Sequence, residues 1–189
     1  MKRVAMGLGI AVTMALGGCG DDPQPMRGTV VWADGCLPST MGLNCPSAAH
    51  SVTGASGSPV VIINCSVVRA GGQIEVSFRA AAGNNFDTSN EGIFVFGSVN
   101  GAGQEMSGPT SYLIMRGNGW TNTRNNGTLG PTNNCHVFVD TISGQNITGR
   151  VACSGLLDDA SPPRERFVRG NPPVTTTVDF GEFNFQNCE

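Results

Sequence analysis

The stretch Val61-Ile62-Ile63-Asn64-Cys65-Ser66-Val67-Val68-Arg69-Ala70-Gly71-Gly72-Gln73-Ile74-Glu75-Val76-Ser77-Phe78-Arg79-Ala80 decides the fold class. Val61, Ile63, Cys65 and Val67 fall on one face of a strand, and Ile74, Val76, Phe78 and Ala80 on one face of the next, because side chains alternate with a period of two along β-structure. Gly71-Gly72 between them suits a tight primed turn, whose central residues take positive φ. Closing that turn with Ala70 opposite Gln73 sets Val67 against Val76 and Cys65 against Phe78. Both apolar faces then lie on the same side, so register and pattern agree.

The same alternation recurs between Gly, Asn and Pro clusters, and no helix-length run carries apolar residues at the 3.6 period. Strands are expected over 28–33, 59–69, 73–82, 92–99, 111–116, 134–142, 146–156 and 174–185. About eight strands joined by polar turns predict an all-β, single-domain antiparallel β-sandwich, with a small barrel as the alternative. In the last segment Val174, Thr176, Val178 and Phe180 alternate, and Phe183 and Phe185 follow out of phase. The shift at Gly181 reads as a β-bulge.

The chain has seven cysteines, at 19, 36, 45, 65, 135, 153 and 188. A hairpin with the loop Ser143-Gly144-Gln145 and Ile142 facing Asn146 puts Cys135 opposite Cys153, Val137 opposite Val151, Val139 opposite Gly149 and Thr141 opposite Ile147. That register predicts a Cys135–Cys153 disulfide. Cys36 and Cys45 flank the segment from Leu37 to Asn44, which a local bridge would staple. By elimination Cys65 pairs with Cys188, although six framework cysteines admit other connectivities. No pair shows the C-x-x-C spacing of zinc or redox motifs, so neither a metal site nor a cofactor is expected.

Residues 1–18 read as a targeting segment: Met1-Lys2-Arg3, an apolar run from Val4 to Leu16, and Gly17-Gly18 before Cys19. The run is shorter than the roughly 20 residues a membrane-spanning helix needs. Leu16-Gly17-Gly18-Cys19 resembles the lipobox of bacterial lipoproteins, in which a branched residue and two small ones precede the cysteine that is acylated. The resemblance implies cleavage before Cys19 and a membrane partnership through lipid on that residue; two or more acyl chains anchor stably where one holds only reversibly. In enteric members an aspartate after the lipidated cysteine retains the protein at the inner membrane; Gly20 stands there, which favours the outer membrane of a bacterial envelope. Lipidation of Cys19 would leave six cysteines, a number that suits three bridges in an oxidising compartment. Residues 19–26, rich in Gly, Asp, Pro and Gln, then read as a tether, and 27–189 as the folded domain.

Cys65 ahead of a Gly-Gly turn and an alternating strand, Asn146-Ile147-Thr148-Gly149, and a closing strand that ends at Cys188 resemble segments of the mycobacterial lipoprotein antigen family. That resemblance implies an exported β-domain whose cysteines early and late in the chain pair, as Cys65 and Cys188 would. It transfers no catalytic residue, and four further cysteines here have no counterpart in it.

Charge and residue chemistry narrow the function classes. The formal net charge is −3 over the whole chain, and more acidic once Lys2 and Arg3 are removed, which gives no footprint for nucleic acid. Of two histidines, His136 lies on the strand face opposite Cys135 and is expected to point outward, while His50 falls in a Ser/Gly/Ala-rich loop. No G-x-S-x-G elbow occurs, and Gly117-Asn118-Gly119 is not set between a strand and a helix as a phosphate loop is. Residues 84–91 gather oxygen ligands without the carboxylate spacing of an EF-hand, and read as a solvated turn. Asp158-Asp159 is a weaker cation candidate. Residues 156–174 carry four prolines with Arg164, Arg166 and Arg169, and read as an extended crossover with solvated charges.

Two function classes emerge. The first is a non-enzymatic, lipid-anchored structural or interaction module whose partner is an envelope protein. The second is a glycan-binding module using the Asn-rich loop 117–134, where Trp120 would pack on a sugar face and Asn118, Asn122 and Arg124 would bond its hydroxyls. A glycosidase, a third class, would need two carboxyls about 5–10 Å apart in a cleft, which sequence spacing does not place.

Overall fold

A computed structural model of the chain describes residues 23–36, 48–85, 91–117, 119–122, 127–159, 161–170 and 180–189. The lipobox, Cys19, Cys45, Asn118 and Arg124 lie outside them. The described residues form strands without a helix: β1 Arg27–Cys36, β2 Ala48–Ala55, β3 Val61–Ala70, β4 Gln73–Ala82, β5 Gly92–Val99, β6 Gln104–Glu105, β7 Ser107–Gly117, β8 Trp120–Thr121, β9 Gly127–Thr128, β10 Cys135–Ser143, β11 Asn146–Leu157, β12 Glu165–Arg169 and β13 Gly181–Gln186. All pairings are antiparallel, in two sheets.

The second sheet runs β3-β4-β5-β7-β8, with β9 also on β7. Its first hairpin has the register read from the sequence: Ala70 faces Gln73, Val67 faces Val76 and Cys65 faces Phe78. Gly71 and Gly72 both take positive φ, 60° and 85°, as the primed turn requires.

The first sheet has β2 paired to β1 at one side and β11, β10 and β6 at the other. The slot between β1 and β11 is shared end to end. β13 fills one half, pairing Val30 with Phe183 on one side and Gly149 with Phe183 on the other. β12 fills the other half, pairing Ala33 with Arg169 and Cys153 with Val168. Residues 165–169 therefore form a strand within this sheet, which corrects the expectation of an extended crossover with solvated charges. Ala48–Ala55 is likewise a strand, not a loop, held to β1 from Arg27↔Ala55 to Asp34↔Ala48.

The β10–β11 hairpin keeps Cys135 opposite Cys153, Val137 opposite Val151 and Val139 opposite Gly149. Nearer the turn the expected register fails: Thr141 faces Thr148 and Ile142 faces Ile147, because the loop is only Gly144-Gln145 and the register shifts between Val139 and Thr141. A bulge takes up the residue that the sequence reading gave to the loop. At Gly181 no bulge appears in the described strand; both its ladders run unshifted to Phe185. Glycine is needed there for space, since a Cβ would stand 2.9 Å from the Trp32 Cβ and from the Val31 carbonyl oxygen.

The inner faces meet in one core. Phe78 of the second sheet packs on Phe183 and Phe185 of the first, with ring centroids 4.4 and 4.8 Å apart, among Val30, Trp32, Val95, Leu113, Met115 and Val151, all fully buried. A buried aromatic pair contributes about 0.5–1.5 kcal/mol beyond its area. Two disulfides, Cys65–Cys188 and Cys135–Cys153, staple this core, the first tying β3 of the second sheet to the segment that follows β13 of the first. Cys36 is disulfide-bonded as well.

Candidate functional site

Several strands carry a polar residue in the inward phase just where the apolar alternation ends. On β1, Val30 and Trp32 are followed by Asp34; on β2, Val52 is preceded by His50; on β11, Leu156 leads to Asp158; on β12, Val168 is preceded by Arg166. Each of these polar residues is buried, between 0 and 3% exposed. The strands end together, so the sheets close at this end over charge instead of hydrocarbon. Buried charges persist only when paired, and each of these stands at ion-pair distance from a group of opposite charge.

Asp34 is the hub. Its Oδ2 accepts the indole N–H of Trp120 from the opposite sheet and faces His50 Nε2 at 3.1 Å. Its Oδ1 accepts the Ala48 amide at 3.2 Å and lies 3.8 Å from an Arg166 guanidinium nitrogen. The His50 ring stacks on Trp32 with centroids 5.0 Å apart. Its Nδ1 meets at 3.2 Å the Oε1 of Glu91, the residue just before β5 of the second sheet. Both imidazole nitrogens stand at ion-pair distance from carboxylates but off good hydrogen-bond directions. Burial pushes the His50 pKa down, yet the flanking Asp34 and Glu91 outweigh it and hold it above the ordinary 6.5.

Arg166 lies over the Trp120 ring at 5.0 Å and donates through Nε to Asp158 Oδ2 at 3.2 Å. Asp158 also accepts from the Arg164 side chain at 2.8 Å and from the Arg164 amide at 3.0 Å. Gly117 passes so close that a Cβ there would overlap both Trp120 Nε1 and Asp34 Oδ2. The cluster therefore joins the two sheets at two points, Asp34 to Trp120 and His50 to Glu91. Glu91, 32% exposed, is its outlet to solvent. Chemically it is a compensated charge clamp with a titratable imidazole at its centre. Among the described residues no group of three His, Cys, Asp or Glu is arranged to hold a metal ion.

This geometry corrects several expectations. Trp120 is 4% exposed, with Arg166 over its ring and its N–H given to Asp34, so burial leaves it no face to offer a sugar. Asn122 is fully buried: its side-chain oxygen accepts the Met115 amide and its Nδ2 donates to the Leu113 carbonyl at 3.3 Å, extending the edge of β7. The glycan site placed on these two residues is not assembled at the surface. Arg166 and Asp158, read as solvated, are interior groups, and Glu91, read as part of a solvated turn, faces His50. His136 does point outward, half-exposed, with Nδ1 2.6 Å from Glu105 Oε1. The sequence carries a signal for the clamp that hydrophobic patterning passes over, namely polar residues that keep the inward phase at strand ends.

No family model, no curated protein and no solved structure matches the chain.

Proposed function

We propose that this is a lipid-anchored protein of the bacterial envelope, held through acylated Cys19 and favouring the outer membrane, whose β-sandwich is a structural or interaction module and not an enzyme. The supporting observation is where the chain enters the fold. The Met26 carbonyl accepts the Ser56 amide at 2.8 Å, the Met26 amide donates to Ser56 Oγ at 3.1 Å, and the Asn187 side chain donates to the Pro25 carbonyl at 3.1 Å. The tether is thus clasped at one end of the sandwich. The charge clamp lies at the other, about 26 Å along β1 at roughly 3.3 Å per residue. A lipid on Cys19 would attach to the clasped end and hold both sheet faces and the far end away from the bilayer, free to meet an envelope partner.

A second reading, glycan binding, moves from Trp120 to the outer face of the second sheet. There Tyr112 stacks beside Phe96 with centroids 5.7 Å apart and meets Phe94 edge-on at 5.4 Å, with the Arg79 guanidinium 4.7 Å above Phe94. Half-buried aromatic rings side by side on the outer face of a sheet are a surface on which sugar faces can pack.

Intact mass spectrometry of the protein from its native membrane tests the first reading. A species beginning at Cys19 with acyl chains, gaining about six hydrogens on reduction, is expected. An unacylated species would overturn the anchor, and a specific turnover by the pure protein would overturn the non-enzymatic assignment. For the second reading, Tyr112→Ala should abolish any glycan retention seen with the unaltered protein; retention that survives it would locate the sugar elsewhere.

A further inference from the structure

On the outer face of the first sheet, β12 parts from β11 where the register shifts between Cys153 and Leu156. The gap opens a hollow of about 520 Å³ beside Cys36, Ala152 and Val168, with Phe167, Arg169, His136, Asn134 and Ser154 around it. Its size falls in the range of small-molecule sites, about 300–1,000 Å³. The lining combines an aromatic ring, aliphatic groups and disulfide sulfur with a few polar side chains, the composition such sites share.

The polar groups are specific in kind. Arg169 is exposed and its guanidinium rests 4.6 Å over the Phe167 ring, which positions it without using its N–H donors. No carboxylate among the described residues pairs with it. His136 Nδ1 meets the Glu105 carboxylate, an acceptor, so Nδ1 carries a proton and Nε2 is the nitrogen left for a ligand. Glu105 is spent on His136, and no acidic side chain lines the hollow. A cationic fork, an aromatic wall and no competing anion are complementary to a carboxylate borne on an apolar ring.

We propose that this hollow binds a small aryl carboxylate, its carboxylate taken by Arg169 and its ring by Phe167, with His136 Nε2, Ser154 and Asn134 available to a ring substituent. This site does not depend on the anchor or on the role of the sheet faces.

The test is calorimetric titration of the full chain, purified in detergent with empty micelles as blank, using benzoate as probe to about 10 mM, which covers dissociation constants into the millimolar range. Saturable binding is expected, weakened at least about tenfold for acetate, which lacks the ring, and for benzyl alcohol, which lacks the charge. Arg169→Gln and Phe167→Ala should each weaken benzoate by about tenfold or more. Arg150→Gln, on the same sheet face but bound to Asp140, should leave it unchanged. Arg169 is exposed, so its variant should keep the parent melting temperature. No heat of binding with benzoate, equal binding of acetate, or undiminished binding by Arg169→Gln overturns the proposal. Loss of binding on Arg150→Gln to the same degree would do so too, by showing a diffuse charge effect.

Discussion

Replacing Asp34 by alanine removes the hub of the clamp and strands what surrounds it. The Trp120 indole N–H and the Ala48 amide lose their acceptor, and His50 and Arg166, 2 and 3% exposed, lose a counter-charge. Removing one partner of a buried ion pair costs about 3–5 kcal/mol, because the remaining charge stays desolvated. Arg166 keeps Asp158 and His50 keeps Glu91, which places the expected loss near the lower end, about 3 kcal/mol. That is a large share of the 5–15 kcal/mol that holds a typical domain. At about 2–4 °C per kcal/mol for a chain of this size, the melting temperature should fall by roughly 6–12 °C. Circular dichroism melts with the disulfides intact, checked by urea titration, measure it. Combining Asp34→Ala with His50→Phe should recover part of the loss, since an apolar ring on Trp32 leaves no orphaned imidazole. A fall under about 3 °C, or strictly additive losses in the double variant, would refute the clamp as a coupled unit.

Stability should depend on pH through His50. Its folded pKa is raised above the unfolded 6.5, so its contribution is complete below about 6.5 and is lost as pH rises through the folded value; the melting temperature of the parent should decline over that window while that of His50→Phe stays flatter. Replacing both Cys65 and Cys188 by alanine opens a loop spanning 123 residues, and should cost about 5 kcal/mol on the chain-entropy model, against about 3 for Cys135 and Cys153, separated by 18; equal losses in urea melts would contradict loop length as the cause. Gly117→Ala should destabilise by about 2 kcal/mol or more, because its Cβ overlaps Trp120 and Asp34, whereas Gly101→Ala, with open space around it, should stay within about 0.5 kcal/mol in the same assay.

Local pattern made the all-β class legible. Alternation with period two and a glycine pair between Ala70 and Gln73 fix both strands and register of the first hairpin, since a one-residue slip would turn Val67 and Phe78 to solvent. The Cys135–Cys153 pairing follows from the same logic although the turn is one residue shorter than the pattern suggests. A bulge between Val139 and Thr141 and a two-residue loop give the same alignment at the cysteines as a three-residue loop without a bulge. A lone tryptophan in a polar loop has the same sequence signature whether it faces a sugar or, as Trp120 does, a buried carboxylate 86 positions away.

The sequence by itself determined which residues alternate, where turns interrupt them and which cysteines can meet across a hairpin, because these are contacts between neighbours in the chain or across one turn. Only the tertiary structure decided that Asp34, His50, Glu91, Trp120, Asp158 and Arg166 share one buried end, and that β12 parts from β11 to leave a hollow beside Arg169. The order in which strands pair sets these juxtapositions. A polar residue in the inward phase shows that a partner is needed, while the packing of the two sheets supplies it.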